Sequence, residues 1–573
     1  MMNARFVLIA AMILIMPRDG ENDVRSARGA LEIRALGDLT NGNFERGKDG
    51  VPEGWKPEGD TSRIRFTWEP HGGIDGSRCV SISSRDPAVP VRGAWTQTVQ
   101  LAPYTPYLLK GFIKGRDLQG LGRFSAVLGA SVYRAENGPQ RQTDALDWTP
   151  FEMDFATGPS GHIQIYVALG LHGRHATGTV WFDNLTLQRN PDVETFESKH
   201  FILHLYKDQV ALATRAGVRR QMANVDALCE AYAELTGYTP PGGKQSAFSP
   251  SRYRLGALAW AGNPLIFEKQ PYLASIKANW PREEFCAEVF LHELAHNFDH
   301  PNWTFHVHFN ELKMFYALET RNLAIAEDGW TRGAATRHRW EFRTRKNREL
   351  GIVDEQVQVY KNILLRDKIG WEPFKKTFRY FLALTRDQAP RTPWGKFKLW
   401  HDKLGEYSGF DAWSVYRPAE VEFVKYYYAP RTEPVDIGQI GGGRHTVNLT
   451  DVKWDSARVG WQQPAYGFYA SGARLHLHSI YGHAPSQYNY TPAAKWKTLA
   501  TTYGLARGNA GSVVFVVKGD GRDLFRSALV KDFQERPAIV DISGVKSLAL
   551  VVEDGGDGRT NDWGIWFDPK LQR

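Results

Sequence analysis

The sequence predicts a multidomain chain in which an α-rich α+β domain lies between two β-sandwiches. Three observations carry the prediction. Apolar and polar residues alternate with a period of two from about residue 37 to 190 and again beyond about 445, broken at short intervals by Gly, Pro, Asn and Asp. Between these stretches, from about 195 to 430, the apolar spacing becomes that of helices packed on a core. The length, 573 residues, exceeds what one hydrophobic core organises. The chain divides into a leader and linker at 1–36, domains at 37–192 and 193–430, a linker at 431–444, and a last domain at 445–573.

At the N-terminus Arg5 precedes an apolar run, Phe6 to Met16, too short to span a bilayer but suited to a signal peptide. The following "MPRDGEND" lacks a small-x-small cleavage pattern, so a frayed N-terminal helix or a mis-assigned start is the other reading. Export places the chain outside the cytoplasm: secreted, on the cell surface or periplasmic. The runs "WTQTVQL", "YLLKGFIKG", "FSAVLGASVYR", "HIQIYVALGL" and "TVWFDNLTLQ" supply the strands of the first sandwich. Then come "KHFILHLYK" as a strand, a long helical pattern from Gln209 to Leu235, and "YRLGALAW" as another strand. Helices are expected around 282–298, 308–320, 354–366 and 371–385. "APRTEPVDIGQIGGG" combines Pro with a Gly triplet and reads as the linker. Beyond it "GSVVFVVKGDG", "PAIVDISG" and "SLALVVEDGG" restore the period of two.

Composition narrows the partners. With 71 basic and 63 acidic residues the net charge is +8, mild for this length and without a long basic block. The densest run, "TRHRWEFRTRKNREL", is read as a solvated helix face with interspersed Glu, so no nucleic-acid partner is expected. No other segment is apolar enough for stable membrane insertion. Three well-separated cysteines make neither a disulfide framework nor a C-x-x-C motif. Nineteen Trp and 23 Tyr suit β-domains that stack on sugars, and equally any well-packed sandwich.

The chemistry concentrates in "FLHELAHNFDH". On a helix, residues i and i+4 share a face, so His292 and His296 can direct two imidazoles at one metal ion. Glu293 lies about 100° round the helix and can still reach a water on that ion. Zinc brings the pKa of such water to roughly 7, and the carboxylate takes its proton as a carbonyl is attacked. Phe285, Val289, His292 and His296 continue one inward stripe, and Pro281 suits the helix start. The alternative is a helix with two semi-buried histidines. In "FHVHFNELKMFYALE", Glu311 follows His296 after fourteen residues and shares a face with Phe315 and Leu318, so it can complete a His-His-Glu set with an open fourth position. Glu319 is the fallback. The longer H-E-x-x-H-x-x-G-x-x-H form is excluded by Asp299 and Asn302. Asp299 can orient a ligating histidine, and His300, His306 and His308 are nearby candidates for supporting or substrate-contacting groups.

On these residues the middle segment resembles the enhancin-like zinc metallopeptidases, a gluzincin group that includes mucin-degrading members. "AGNPLIF" and "IGWEPFKKTFRY" match further stretches of that family over roughly 195–430. The resemblance implies a zincin-like fold, Zn2+ on His292, His296 and Glu311, Glu293 as general base, and a substrate-aligning strand from Leu255 to Trp260. Asp299 stands where Gln is common and Phe315 where Asn is common. Tyr316 and the nearby histidines are candidates for stabilising the oxyanion.

The first domain is similar to carbohydrate-binding modules of families four and nine through "NGNFERG", "GFIKG", "DWTPFEMDF" and "GTVWFDNLTL". That likeness implies a glycan-binding jelly roll and a structural Ca2+, with Glu45 and Asp183 as ligands. Trp55, Trp95 and Trp148 are its candidate sugar-stacking residues, each equally at home in a core. The last domain resembles the NPCBM-type carbohydrate-binding module through "DVKWDSARVGW", "YGHAPSQYNY", "GSVVFVVKGDGRDLFRS" and "LALVVEDGGDGRTNDWGIW". The combined expectation is a secreted zinc endopeptidase whose partners are glycans and a glycosylated, mucin-like substrate. The alternatives are a glycoside hydrolase, for which no alternating βα pattern is present, and a glycan-binding protein with an inactive zincin domain.

Overall fold

The computed structural model describes residues 39–573 apart from 133–134, 171–174, 253–258, 270–272, 274–275, 277–279, 281–287, 305–308, 322, 324–333, 350, 429–433, 438–439, 441–443, 462, 472–473, 493–494, 507–510 and 559–560. The leader, Pro281, Phe285, Cys286, His306, His308 and most of the expected strand before Ala259 lie outside the described residues.

The first domain is a pair of five-stranded antiparallel sheets. One runs in the order Gln140–Ala156, Pro106–Phe124, Ala176–Arg189, Cys79–Ser84, Ile64–Glu69, and the other in the order Lys56–Gly59, Gly93–Gln100, His162–Leu169, Ala126–Ala130, Glu136–Asn137. Alternate residues such as Val80, Ile82, Ile113, Val180 and Phe182 point into the shared core. The C-terminal domain repeats the design with a six-stranded and a five-stranded antiparallel sheet between Thr446 and Gln572.

The middle domain has a mixed sheet ordered Val193–Glu197, Phe201–Tyr206, Gln245–Phe248, Leu265–Phe267, Ala259–Trp260. Phe201–Tyr206 is buried at every position, because helices cover one face of the sheet and the first sandwich covers the other. That explains why "FILHLY" reads as a continuous apolar run. Helices α1 (Lys207–Ala213), α2 (Arg215–Thr236), α3 (Glu288–Asn297), α4 (Phe309–Thr320), α5 (Ala334–Glu349), α6 (Glu355–Ile369), α7 (Glu372–Ala383), α8 (Pro393–Ser408) and α9 (Pro418–Tyr428) follow in order.

The single helix expected from Gln209 to Leu235 is broken at Thr214, whose φ of 58° ends α1 while its hydroxyl accepts from the Gly217 N–H to start α2. Gly237, at φ 72°, closes α2 by donating to the Ala233 carbonyl, a left-handed cap that a side chain would strain. Among the described residues no helix is long and apolar enough to cross a membrane.

Candidate metal centre

Helix α3 carries Leu291, Leu294 and Ala295 into the central core, joined by Phe298 just past its end, against Leu312, Phe315 and Tyr316 of α4. Its C-terminal Asn297 fastens it to the sheet edge. The side chain accepts from the Gly262 N–H at 3.1 Å and donates to the Gly262 carbonyl and to Gln245 Oε1, each at 2.8 Å. The antiparallel edge strand Ala259–Trp260 is thereby held beside the helix that bears the histidines.

Across the α3–α4 contact, His292 Nδ1 lies 2.9 Å from Glu311 Oε1. This is a hydrogen-bond distance, and it brings one imidazole and the carboxylate of the expected donor set into direct contact. Glu311 Oε2 is buried and has no hydrogen-bond partner among the described residues. An orphaned carboxylate oxygen beside an imidazole is costly unless a cation or proton satisfies it. Burial opposes ionisation of Glu311, but the bond from His292 and the charges of His292, Arg343 and His296 outweigh it and hold its carboxyl below the usual value.

His296 lies one turn on, its ring centre 4.9 Å from that of His292 and nearly perpendicular to it. Glu293 is half-buried, and no hydrogen bond or ion pair engages it among the described residues. Among the described residues no group of three or more His, Cys, Asp or Glu side chains converges on one point. By residue chemistry His292, His296 and Glu311 are a zinc-type donor set, two imidazoles and one carboxylate, but among the described residues the structure pairs only His292 with Glu311 and does not gather all three around one point.

Other expected participants are placed elsewhere. Glu319 pairs with Arg366 and accepts from Trp371 Nε1 at 3.1 Å, so the fallback ligand is committed to helix packing. Tyr316 donates to Glu234 Oε1 at 2.6 Å, because five residues from Glu311 it emerges on another face of α4, towards α2. It is therefore not placed as an oxyanion group. His300 packs among Tyr238 and Trp303, each ring centre 5.3 Å away.

In the first sandwich, Trp55 and Trp95 are 2% and 1% exposed, their indole N–H groups bonded to the Asn41 and Ser81 carbonyls. Both are core residues and present no ring face to a sugar, which corrects that expectation. Trp148 is half-buried at the surface with the Lys114 ammonium 5.5 Å above its ring, and Trp181 meets the same ammonium at 5.2 Å. Trp181 was legible in "TVWFD", where inward Val180 and Phe182 turn it outward.

Asp183 is fully buried and accepts from the amides of Ile74 and Asn184 and from the Ser77 hydroxyl, at 2.9, 2.7 and 3.2 Å. Glu45 accepts from the Arg78 amide at 2.8 Å. The pair anchors the 73–78 loop through N–H and O–H donors.

Residues 445–572 match the NPCBM/NEW2 domain. That stretch is an NPCBM domain. The tRNA(Glu)-specific nuclease WapA of Bacillus subtilis subsp. natto is 26% identical over 161 residues, 26% of this chain and 7% of the nuclease. The chain thus spans about 7% of the length of the curated relatives it matches. Among solved structures, the CBM51 of a Clostridium perfringens GH95 protein in complex with methyl-galactose is 26% identical over 22% of this chain and 99% of its own, with a TM-score of 0.21. The M60 catalytic domain with CBM51-1 and CBM51-2 from Clostridium perfringens ZmpB is 10% identical over 83% of this chain and 73% of its own, with a TM-score of 0.29. A functionally unknown protein from Bacillus anthracis aligns over 75% of this chain and 96% of its own at 11% identity, with a TM-score of 0.33.

Proposed function

We propose that the chain is an exported zinc-dependent endopeptidase that cleaves glycosylated, mucin-like proteins while its β-domains hold the attached glycans. The observation that carries the reading is the His292–Glu311 contact with its orphaned buried oxygen, beside which the next residue in sequence, Glu293, makes no hydrogen bond or ion pair among the described residues. His292, His296 and Glu311 would hold the ion. Bound zinc supplies a Lewis acid for the scissile carbonyl and makes water a nucleophile near neutral pH.

The residues of the chain do the rest. Glu293 accepts the proton of the attacking water on its carboxylate and delivers it to the departing amine. The Ala259–Trp260 edge strand offers backbone groups along which an extended peptide can align beside α3. The NPCBM domain supports the glycan part of the reading, and the outward Trp148 and Trp181 give the first sandwich an aromatic surface.

The test compares wild type with Glu293→Gln for zinc content and for cleavage of an O-glycosylated mucin-type protein and its deglycosylated form. Equal zinc in both proteins is expected, with cleavage of the glycosylated form falling by about 10²–10⁴-fold in the variant. Reducing sugar released from an intact peptide chain would instead favour a glycoside hydrolase. Absence of zinc from both proteins would leave a glycan-binding protein, whereas zinc without cleavage would keep the metal site and remove mucin as its substrate.

A further inference from the structure

Lys313 sits on α4 two residues beyond Glu311 and is completely buried. Its ammonium donates to Asp299 Oδ1 at 2.6 Å and to the carbonyl of Ala295 in the last turn of α3. Asp299, just past α3, also accepts from Trp303 Nε1 at 3.3 Å. Its other oxygen, Oδ2, lies 3.7 Å from His296 Nδ1. Burying an ammonium costs several kcal/mol unless it is paired and hydrogen-bonded, and among the described residues both partners, Asp299 and the Ala295 carbonyl, belong to the segment that carries the histidines.

We propose that the Lys313–Asp299 pair is a positioning device that holds the His296 imidazole with Nδ1 towards Asp299 and so presents Nε2 as the metal-binding nitrogen. The inference rests on the zinc reading above. A carboxylate behind a ligating imidazole sets its tautomer and orientation. Lys313 serves in two further ways. It balances the Asp299 charge, so that the carboxylate supports His296 without leaving a bare anion in the core. It also ties the last turn of α3 to α4, fixing the helix of the two histidines against the helix of Glu311. A cation at that point is favoured by the partial negative charge of the α3 C-terminus.

The experiment compares wild type, Asp299→Asn, Lys313→Met and the doubly neutral Asp299→Asn/Lys313→Met. Zinc affinity is measured by chelator competition, the Co(II)-substituted absorption spectrum is recorded, and folding is followed by circular dichroism. Lys361→Met, which removes a buried lysine far from the histidines in sequence, is the control. Each Asp299 or Lys313 variant is expected to bind zinc about 10–100-fold more weakly with shifted Co(II) bands, while Lys361→Met keeps wild-type affinity and bands. The double variant, free of an unpaired charge, keeps the test open should a single variant misfold. Wild-type affinity and an unshifted spectrum in the folded Asp299 and Lys313 variants would overturn the positioning role and leave the zinc reading intact. A wild type that binds no zinc would overturn both.

Discussion

Two corners of the helical domain each bury a lysine that joins neighbouring segments through a carboxylate, and they differ in where the carboxylate turns next. Between α6 and α9, Lys361 bonds Glu420 at 2.8 Å and the Val415 carbonyl at 2.6 Å, with its ammonium 5.2 Å above the Tyr416 ring. Glu420 also accepts from the Arg417 amide at 2.8 Å and the Arg417 guanidinium at 3.0 Å, so both oxygens are satisfied inside the corner. At the α3–α4 corner Lys313 makes the same two kinds of bond, but Asp299 keeps one oxygen for His296. Burial and ion pairing are common to both. What separates a packing element from a candidate working part is the oxygen left facing a group whose orientation matters.

The largest expected effect is at the packing corner. Lys361→Met leaves Glu420 buried without its main counter-charge and should cost about 3–5 kcal/mol in chemical denaturation of the domain. Zinc binding by the folded fraction should stay at the wild-type level. A loss of zinc affinity as large as that of Lys313→Met would erase the distinction between the corners.

The next effect is pH dependence at the same corner. His401 is buried between Trp413 and Tyr416, with ring centres 5.0 and 5.2 Å away, and its Nδ1 lies 2.9 Å from the Phe397 carbonyl. Burial pushes its pKa down from 6.5 to about 4, against smaller opposing effects of the Phe397 carbonyl and Asp402. The unfolded chain therefore takes up this proton first as pH falls. The stability His401 contributes is full above about pH 6.5 and is lost progressively towards about pH 4. His401→Phe should flatten the fall in stability through that window. His204, also buried and lowered to about 4, should leave a residual slope. An unchanged slope in His401→Phe would place the sensitive group elsewhere.

The smallest effect is expected where an ion pair is wet. Arg391 and Asp387 lie 3.8 Å apart with side chains 85% and 92% exposed, so Asp387→Asn should leave the denaturation midpoint unchanged. A measurable shift would mean that exposure does not separate weak from strong pairs in this protein.

Much of this layout is legible in local pattern. Alternation places Val80, Ile82, Val180 and Phe182 inside the first sandwich, and the four-residue histidine spacing places His292 and His296 on one helix. Glu311 is legible because it shares a face with Phe315 and Leu318. Pattern fails where a residue type has two good homes. Trp55 and Trp95 suit a sugar or a core equally by composition, and only the packing of two sheets buries them. The Gln209–Leu235 periodicity passes unbroken through Thr214, where a single positive φ divides the helix. Lys313 lies between Leu312 and Met314, and nothing within α4 announces that it is dry.

The sequence by itself determined the order of β, helical and β domains and the shared face of the two histidines, because side-chain periods of two and 3.6 are properties of neighbouring residues. Only the tertiary structure decided that Glu311 meets His292, that Tyr316 turns to Glu234, and that Lys313 closes on Asp299. Those contacts join separate segments, and the angle and depth at which two helices pack follow from the whole core rather than from either helix alone.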